Sequence, residues 1–355
     1  MTSRELALSV LDLVPVRTGQ RSSDAIAATT ALAVAADELG YTRYWLAEHH
    51  NMPSVASTNP AVLIGVLASR TRRIRVGSGG VMLPNHAPLV VAEQFAALEA
   101  SAPGRIDLGI GRAPGSDPVI SALLQSSGHT SEVDTFPSNV TDIIKLLSPE
   151  GAILSLRGGQ TYPLRATPAA DGVPTVWLLG SSDYSARLAA QLGLPYVFAH
   201  HFSGEGTAEA LRLYRSQFRP SENASEPRTL LTANVVAADT AEEANARALP
   251  QLQHMARLRS GEQLTALATI EEAARTVMTA AQEAMIERMR AAWIIDEAGA
   301  AADRVRALAE RFDVDEVMIS PASGSSESDP IDRTPGRETT IRLLGERLLS
   351  PALVG

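Results

Sequence analysis

A glutamate followed by two histidines is the first group in this chain that could do chemistry. Glu48, His49, His50 and Asn51 follow an apolar run in "YWLAEHHN". One interpretation is a metal site, but consecutive strand residues point to opposite faces, so the two histidines cannot easily bind one metal. The chain has no H-x-H pair and no evident carboxylate cluster, and we predict no metal. A single histidine acting as acid, base or hydrogen-bond donor is the functional hypothesis, and a packed structural histidine is the alternative.

Two adjacent glycines interrupt the next apolar run. In "GSGGVMLP", Gly79 and Gly80 would weaken a strand unless its backbone must bulge or a flat group must lie against it. A planar cofactor ring resting on bare backbone would explain the pair. A barrel bulge without a ligand is the alternative.

The segment "GIGRAPGSD" (109–117) invites comparison with a dinucleotide-binding loop. That fingerprint requires G-x-G-x-x-G between a strand and a helix. Here the third glycine, Gly115, comes one position late, Pro114 interrupts the loop and Arg112 lies inside it. The segment therefore does not predict a Rossmann fold.

A better anion site is predicted where "WLLG" passes into "SSDYSARLA". Gly180, Ser181, Ser182 and Ser185 fall at this strand-to-helix turn, where backbone N–H groups and hydroxyls are available to a phosphate. Arg112, on the neighbouring predicted strand, could reach the same place with its guanidinium group. Such a site suits one phosphate. The alternative is that the serines are ordinary helix caps and that Arg112 forms a surface ion pair.

Composition excludes several classes of function. The 355 residues are 45% hydrophobic and 20% charged, carry a net charge of −9 and include no cysteine. The acidic balance argues against nucleic-acid and anionic-membrane partners, and the lack of cysteine excludes disulfides, thiolate ligands and a cysteine nucleophile. The first residues show no signal-peptide pattern, and no apolar run reaches the ~20 residues of a membrane span. We expect a cytoplasmic protein that acts on small molecules.

Alternating apolar runs and helical patterns predict the fold. Predicted strands occupy 6–14, 43–47, 74–83, 105–110, 175–180, 195–201, 229–238 and 316–320. Because these strands are mostly apolar throughout, they favour a parallel sheet covered on both faces. Eight such units favour an α/β fold of the closed (β/α)₈ TIM-barrel type over an open doubly wound sheet.

Residues 1–355 are predicted to form a single domain, since no second core or fixed repeat is visible. Two regions, 111–173 and 239–311, are too long for simple connections, and the second has an almost entirely helical pattern. Insertions of this kind in a barrel usually lie on the carboxyl-terminal, active-site face. The polar segment 323–339 is expected to be an exposed or disordered loop.

Taken in order, these motifs resemble those of the bacterial luciferase-like flavin monooxygenases. The resemblance rests on "YWLAEHHN", "VGSGGVMLPNHAPLVVAEQFAALE", "GRIDLGIGRAPGSDP", "WLLGSSDYSARLAAQLGLPYVFAHHF" and "VDEVMIS". It is dense from residue 6 to about 202, returns at 229–238 and 313–349, and is loose in the insertions.

The resemblance implies roles for particular residues around a flavin ring. His49 matches the active-site histidine that supports reduced-flavin oxygen chemistry, and Gly79–Gly80 matches a non-proline cis peptide that forms a bulge behind the ring. Gly111 stands where light-emitting members have a reactive cysteine, so the resemblance does not carry light emission to this chain.

It also implies a cofactor-binding set at the phosphate end. Arg112 matches the arginine that holds the FMN phosphate, with Ser181, Ser182 and Tyr184 near the other phosphate contacts and Gly180 at their turn. Trp177 is expected to line the flavin pocket.

The function implied is that of a two-component monooxygenase. It would take FMNH₂ from a separate NAD(P)H:flavin reductase and insert one oxygen atom of O₂ into an organic substrate. Within the family, the resemblance is to members of bacterial secondary metabolism, which suggests antibiotic biosynthesis and an aromatic polyketide-like substrate. Family members are commonly homodimers that associate through the helices after strands two and three.

Two alternatives remain open. One is a deazaflavin-dependent dehydrogenase of the same fold, whose acidic cofactor tail would favour basic residues that "APGSD" does not supply. The other is a non-catalytic flavin-binding protein.

Overall fold

A computed structural model describes residues 6–113, 118–126 and 134–349 of the chain. The strands in these ranges are β1 (Ala7–Asp12), β2 (Arg43–Leu46), β3 (Arg75–Met82), β4 (Ile106–Gly111), β5 (Ala152–Ser155), β6 (Thr161–Leu164), β7 (Thr175–Gly180), β8 (Tyr196–Phe198), β9 (Thr229–Ala238), β10 (Ile294–Glu297) and β11 (Glu316–Pro321). The helices are α1 (Ser22–Glu38), α2 (Pro60–Arg70), α3 (Pro88–Ser101), α4 (Pro118–Gln125), α5 (Phe136–Leu147), α6 (Asp183–Leu192), α7 (Thr207–Gln217), α8 (Ala241–Arg259), α9 (Ile270–Arg275), α10 (Ala280–Ala292), α11 (Ala298–Phe312) and α12 (Pro335–Leu348).

Eight parallel strands close into a barrel. Their order is β1-β2-β3-β4-β7-β8-β9-β11, and β11 pairs with β1 to complete the ring. Helices follow the strands and cover the outside, so the predicted (β/α)₈ TIM barrel is confirmed.

Local signals in the sequence begin and end several of the helices. Pro60 takes the first position of α2, where its missing N–H costs nothing, and the Asn59 side chain accepts a hydrogen bond from the Val62 N–H at 3.3 Å. Pro88 has the same place in α3. Gly40, with φ of 84°, ends the turn after α1.

The barrel interior is packed in layers below the mouth. In the lower layer, the buried Arg43 guanidinium donates to Asp107 at 2.8 Å and to Glu316 at 2.7 Å. Above it the Trp45 and Trp177 rings meet edge to face at 5.5 Å. This filling leaves the carboxyl-terminal end of the barrel as the open end.

The region 239–311 departs from its predicted, almost entirely helical character. Helices α8, α9, α10 and α11 are present, but residues 294–297 form β10, which pairs in parallel with the end of β9. The expectation of an exposed loop at 323–339 was wrong at both ends, because residues 335–339 belong to α12 and Arg337 among them is buried. Ser323 is buried, and its hydroxyl lies 2.8 Å from that of Thr340.

The region 111–173 contains α4, α5 and an antiparallel hairpin of β5 and β6. Helix α5 packs against α3 in the outer helical layer. Among the described helices, none combines the length and the apolarity that crossing a membrane requires.

Candidate active site

A cavity of about 590 Å³ opens at the carboxyl ends of the barrel strands. Seven of the eight barrel strands and the segment that follows β2 contribute to its wall, and His49, Gly80, Gly111, Gly180 and Asn234 are examples. Side chains of α8 also line the cavity, so part of the 239–311 region covers the barrel mouth. Enzymes with this fold place their catalytic groups at this end.

The structure brings the predicted phosphate-binding residues together on one stretch of the wall. Arg112, Ser181, Ser182 and Tyr184 all line the cavity, and the Arg112 guanidinium lies 4.0 Å from the centre of the Tyr184 ring. Ser182 precedes α6, and its side chain makes no capping hydrogen bond to that helix. Its hydroxyl and the first N–H groups of α6 are thus suited to an anion. Pro114 and Gly115 of the same loop lie outside the described residues.

Gly180 serves this stretch by its lack of a side chain. A Cβ atom at Gly180 would lie 2.2 Å from the Ser185 Oγ, which donates to the Ser182 carbonyl at 2.8 Å. Glycine therefore lets α6 begin directly against β7. Ser185 is buried and already hydrogen-bonded, so it stabilises the turn.

Bare backbone forms another part of the wall, as the glycine pair predicted. The Gly79–Gly80 peptide is cis, and the pairing of β3 with β4 shifts register between Gly79 and Val81. A Cβ at Gly79 would lie 2.7 Å from the Leu11 side chain, and one at Gly80 would lie 2.8 Å from the Gly109 carbonyl oxygen. The expected cis bond and bulge are confirmed, and the surface they give can receive a flat group.

His49 lies beside this wall. Its ring lines the cavity, its backbone N–H donates to the Ser57 carbonyl at 3.0 Å, and its buried Nδ1 has no hydrogen-bond partner among the described residues. Burial lowers the pKa of His49, whereas the neighbouring Glu48 charge opposes that change. The ring is neutral at pH 7.

Two further histidines line the cavity, and sequence reasoning did not select either. The His201 Nδ1 is hydrogen-bonded to the Thr232 hydroxyl, and the His254 Nε2 lies 3.0 Å from the Ser54 hydroxyl. Burial lowers the pKa of each to about 4. His201 could have been found from the sequence, because it ends "FAHH" at the carboxyl end of a predicted strand. The sequence pattern of α8 gives no indication that His254 lies over the barrel mouth.

The expectation for Trp177 requires correction. Trp177 is buried in the barrel and does not line the cavity. Leu179, two residues further along β7, points to the same side of the strand and lines the cavity in its place. Arg43 and Arg228 lie against the Trp177 ring, 4.8 and 5.1 Å from its centre. Trp177 therefore supports the cavity floor from below.

Comparison with known proteins identifies the family. The family model of luciferase-like monooxygenases matches residues 7–315. The chain belongs to the luciferase-like monooxygenase family. It is 45% identical over 263 residues to a luciferase-like monooxygenase of Escherichia coli strain K12, covering 74% of this chain and 76% of that one.

Other members of the luciferase-like family extend the comparison. An N-acetyl-S-alkylcysteine monooxygenase of Bacillus subtilis is 39% identical over 242 residues, 67% of this chain and 70% of that one. The crystal structure of apo-MsnO8 has a TM-score of 0.81 and 30% identity, covering 96% of this chain and 98% of that one.

More distant structures share the fold and are named for flavin-type cofactors. The oxygenating constituent of 3,6-diketocamphane monooxygenase of Pseudomonas putida, in complex with FMN, has a TM-score of 0.68 at 16% identity, covering 97% of each chain. An F420-dependent secondary alcohol dehydrogenase has a TM-score of 0.63 at 14% identity, covering 96% of this chain and 99% of that one. The fold thus accommodates both cofactor types.

The residues present fit a phosphorylated planar cofactor. The wall combines an arginine and a helix N-terminus with the side-chain-free backbone of Gly79–Gly80, and His49 lines the same cavity. In the described part of the chain, no group of three or more potential ligands is arranged to hold a metal ion.

Proposed function

We propose that this protein is an FMNH₂-dependent monooxygenase that transfers one oxygen atom of O₂ to an organic substrate. The observation that carries the proposal is that Arg112, Ser181 and Ser182 lie on the wall of the same cavity as Gly79–Gly80 and His49. Bound FMNH₂ would supply the electrons that activate O₂, and the protein would supply binding, orientation and shelter from water.

Arg112, Ser181, Ser182 and the N-terminus of α6 would hold the phosphate. The Arg112 guanidinium and the first N–H groups of α6 neutralise and hydrogen-bond an anion, and stacking on Tyr184 orients the arginine. One arginine and one helix N-terminus match a single phosphate.

His49 would act on the reacting oxygen. Its neutral ring can donate one hydrogen bond into the cavity, or hold a proton after uptake, beside the Gly79–Gly80 surface. Because the ring is mostly enclosed by protein, this hydrogen bond would be stronger than it would be in water.

The organic substrate would occupy the half of the cavity that faces β11 and β1. In the ring of eight strands these two are three or four places away from β4 and β7, which carry the proposed phosphate-binding residues. Met318, Leu11 and Leu13 line this half, and Met255 and Trp293 cover it. Such a surface suits a substrate with a large apolar body. An aromatic polyketide-like molecule remains our first candidate, and a thioether like the substrate named for the B. subtilis relative is the second.

The protein would receive FMNH₂ from a separate NAD(P)H:flavin reductase. The sequence offers no dinucleotide-binding fingerprint for NAD(P)H, since the 109–117 glycine pattern departs from one. The reductase would therefore reduce the flavin, and this protein would catalyse only the oxygen transfer.

The test compares three cofactors and then oxygen. We expect anaerobic titration to show tighter binding of FMNH₂ than of reduced riboflavin or a reduced deazaflavin. In air, the protein should slow the release of hydrogen peroxide from FMNH₂, and a thioether or phenolic substrate should gain label from ¹⁸O₂. Preference for the deazaflavin with hydride transfer in the absence of O₂ would support the dehydrogenase instead. Binding with unchanged peroxide release and no product would support a non-catalytic flavin protein.

A further inference from the structure

Glu48 lies at the centre of a cluster that the proposed chemistry does not use directly. Its side chain is 0% exposed and does not line the cavity. Its Oε1 accepts hydrogen bonds from the His50 Nε2 at 2.7 Å and from the His86 Nε2 at 2.8 Å, and its Oε2 accepts one from the Met82 backbone N–H at 2.9 Å. These donors come from three parts of the barrel mouth.

The positions of the donors show which segments of the barrel mouth the cluster joins. Glu48 and His50 flank His49 after β2, Met82 is the last residue of β3 after the Gly79–Gly80 bulge, and His86 follows the next turn. One carboxylate therefore joins the segment that carries the His49 ring to the segment that forms the backbone wall. Since neighbouring parallel strands cannot hydrogen-bond beyond their ends, this junction lies where the sheet itself no longer holds them.

The cluster also affects the pKa values of Glu48 and His49. Burial alone would raise the pKa of Glu48, but the hydrogen bonds from His50 and His86 and the Met82 N–H bring it to about 2. Glu48 is therefore a carboxylate at neutral pH. Its negative charge raises the pKa of the adjacent His49, against the effect of burial.

We propose that Glu48 is a positioning residue for the active site, which holds the His49 ring in register with the Gly79–Gly80 wall and keeps a negative charge behind that ring. The consequence for cofactor binding rests on the proposed function, whereas the effect on His49 does not. Three donors on one buried carboxylate exceed what a single helix cap or strand end requires. His50 adjoins the cavity-lining His49, and Met82 lines the cavity itself.

The first experiment measures the pKa of His49 by NMR of the imidazole nitrogens, without any flavin. In Glu48→Gln we expect the pKa of His49 to fall by about 1, because an opposite charge has been removed. The pKa of His254 should not change. Glu99→Gln is the matched control, since Glu99 is equally buried but accepts from Gly104 on the outside of the barrel. A folded Glu48→Gln protein with an unchanged His49 pKa would overturn the electrostatic part.

The second experiment measures binding of FMN and of riboflavin. Glu48→Asp keeps the charge but is too short to reach all three donors, so we expect both ligands to bind about tenfold more weakly while the His49 pKa is retained. His86→Phe, which removes one partner at a half-exposed position, should weaken both ligands in the same direction. Unchanged binding in these two variants would overturn the positioning part. If wild-type protein binds neither ligand, the proposed function fails, and the NMR result still decides what Glu48 does to His49.

Discussion

Arg112 and His49 lie at two places on one cavity wall, and each would carry a separate part of the proposed chemistry. Arg112 lies over the Tyr184 ring at the proposed phosphate site, and His49 lines the cavity that the Gly79–Gly80 backbone also lines. Binding and oxygen chemistry should therefore respond to different substitutions.

Replacing Arg112 should affect the phosphate alone. We expect Arg112→Ala to weaken FMN binding about tenfold to a hundredfold and to leave riboflavin binding nearly unchanged, since a charge-assisted contact is worth about 1.5–3 kcal/mol. Fluorescence titration measures both. Arg187→Ala is the control, because Arg187 is exposed further along the same helix α6. Equal losses for FMN and riboflavin would place the phosphate elsewhere.

Replacing His49 should separate cofactor binding from coupling. In His49→Ala we expect FMN affinity to stay largely intact, hydrogen peroxide per FMNH₂ to rise and product to fall, since general acid–base assistance is worth about 10²–10⁴ in rate. Peroxide, product and melting temperature are measured on one preparation. A lower melting temperature with unchanged coupling would make His49 a packed structural histidine.

At the scale of elements, β3 and β4 bring several glycines face to face, and they are not equivalent. A Cβ at Gly109 would lie 2.1 Å from the Ser78 carbonyl oxygen, which is rigid backbone. A Cβ at Gly111 would lie 3.2 Å from the Met82 sulfur, the far part of a flexible side chain, and at an ordinary contact distance of 3.8 Å from the Val81 carbonyl oxygen. The fold requires glycine at position 109, and at position 111 glycine mainly leaves space in the cavity.

This difference can be measured by urea unfolding. We expect Gly109→Ala to lower the free energy of unfolding by about 1–3 kcal/mol through overpacking, and Gly111→Ala to change it much less. Gly111→Ala should instead reduce turnover of bulky substrates relative to slender ones. Similar losses of stability in both variants would show that β4 needs glycine at both positions.

At the scale of the whole molecule, helices α2 and α3 offer an apolar face for the homodimer that the family resemblance suggests. Val62 and Val66 share a face of α2, and Val62 and Val90 of α3 are 62% and 49% exposed. We propose that these helices form the dimer interface.

Sedimentation velocity tests the dimer. Wild-type protein should sediment as a dimer, and Val62→Glu with Val90→Glu should sediment as a monomer, because paired charges would be buried without partners. Ile153→Glu is the control, since Ile153 is 72% exposed on the β5–β6 hairpin. A monomeric wild type, or a dimer that survives both glutamates, would contradict the proposal.

Acid sensitivity is a second property of the whole molecule. His201 and His254 have their pKa lowered to about 4, from an ordinary value of 6.5. Below 6.5 the unfolded chain takes up protons that the folded chain does not, so the free energy of unfolding should fall between about pH 6.5 and pH 4. Urea unfolding at several pH values should show a shallower decline in the double variant His201→Gln, His254→Gln. An equal slope would show that other groups cause the decline.

Much of the barrel and of the site could be predicted from the sequence, because the signals are local. Apolar runs of strand length, proline at the first position of α2 and α3, and the serines before α6 each act within a few residues. The Gly79–Gly80 pair predicted the bulge for the same reason, since the lack of a Cβ widens the backbone conformations available at that position. Arg112 and the serines met as expected, because neighbouring parallel strands end at one edge.

Tertiary structure alone decided the remainder. Trp177 faces the packed interior because the stagger of the barrel sets how high each inward position lies, and no single strand encodes that height. Residues 294–297 are a strand because β9 continues past β8 and leaves backbone groups to pair. His254 lines the cavity only because α8 lies across the mouth. By itself the sequence determined the barrel strands, the family and the residues proposed to bind an anion. Packing between distant segments determined how deep each inward side chain lies, which helix covers the cavity and which segments Glu48 joins.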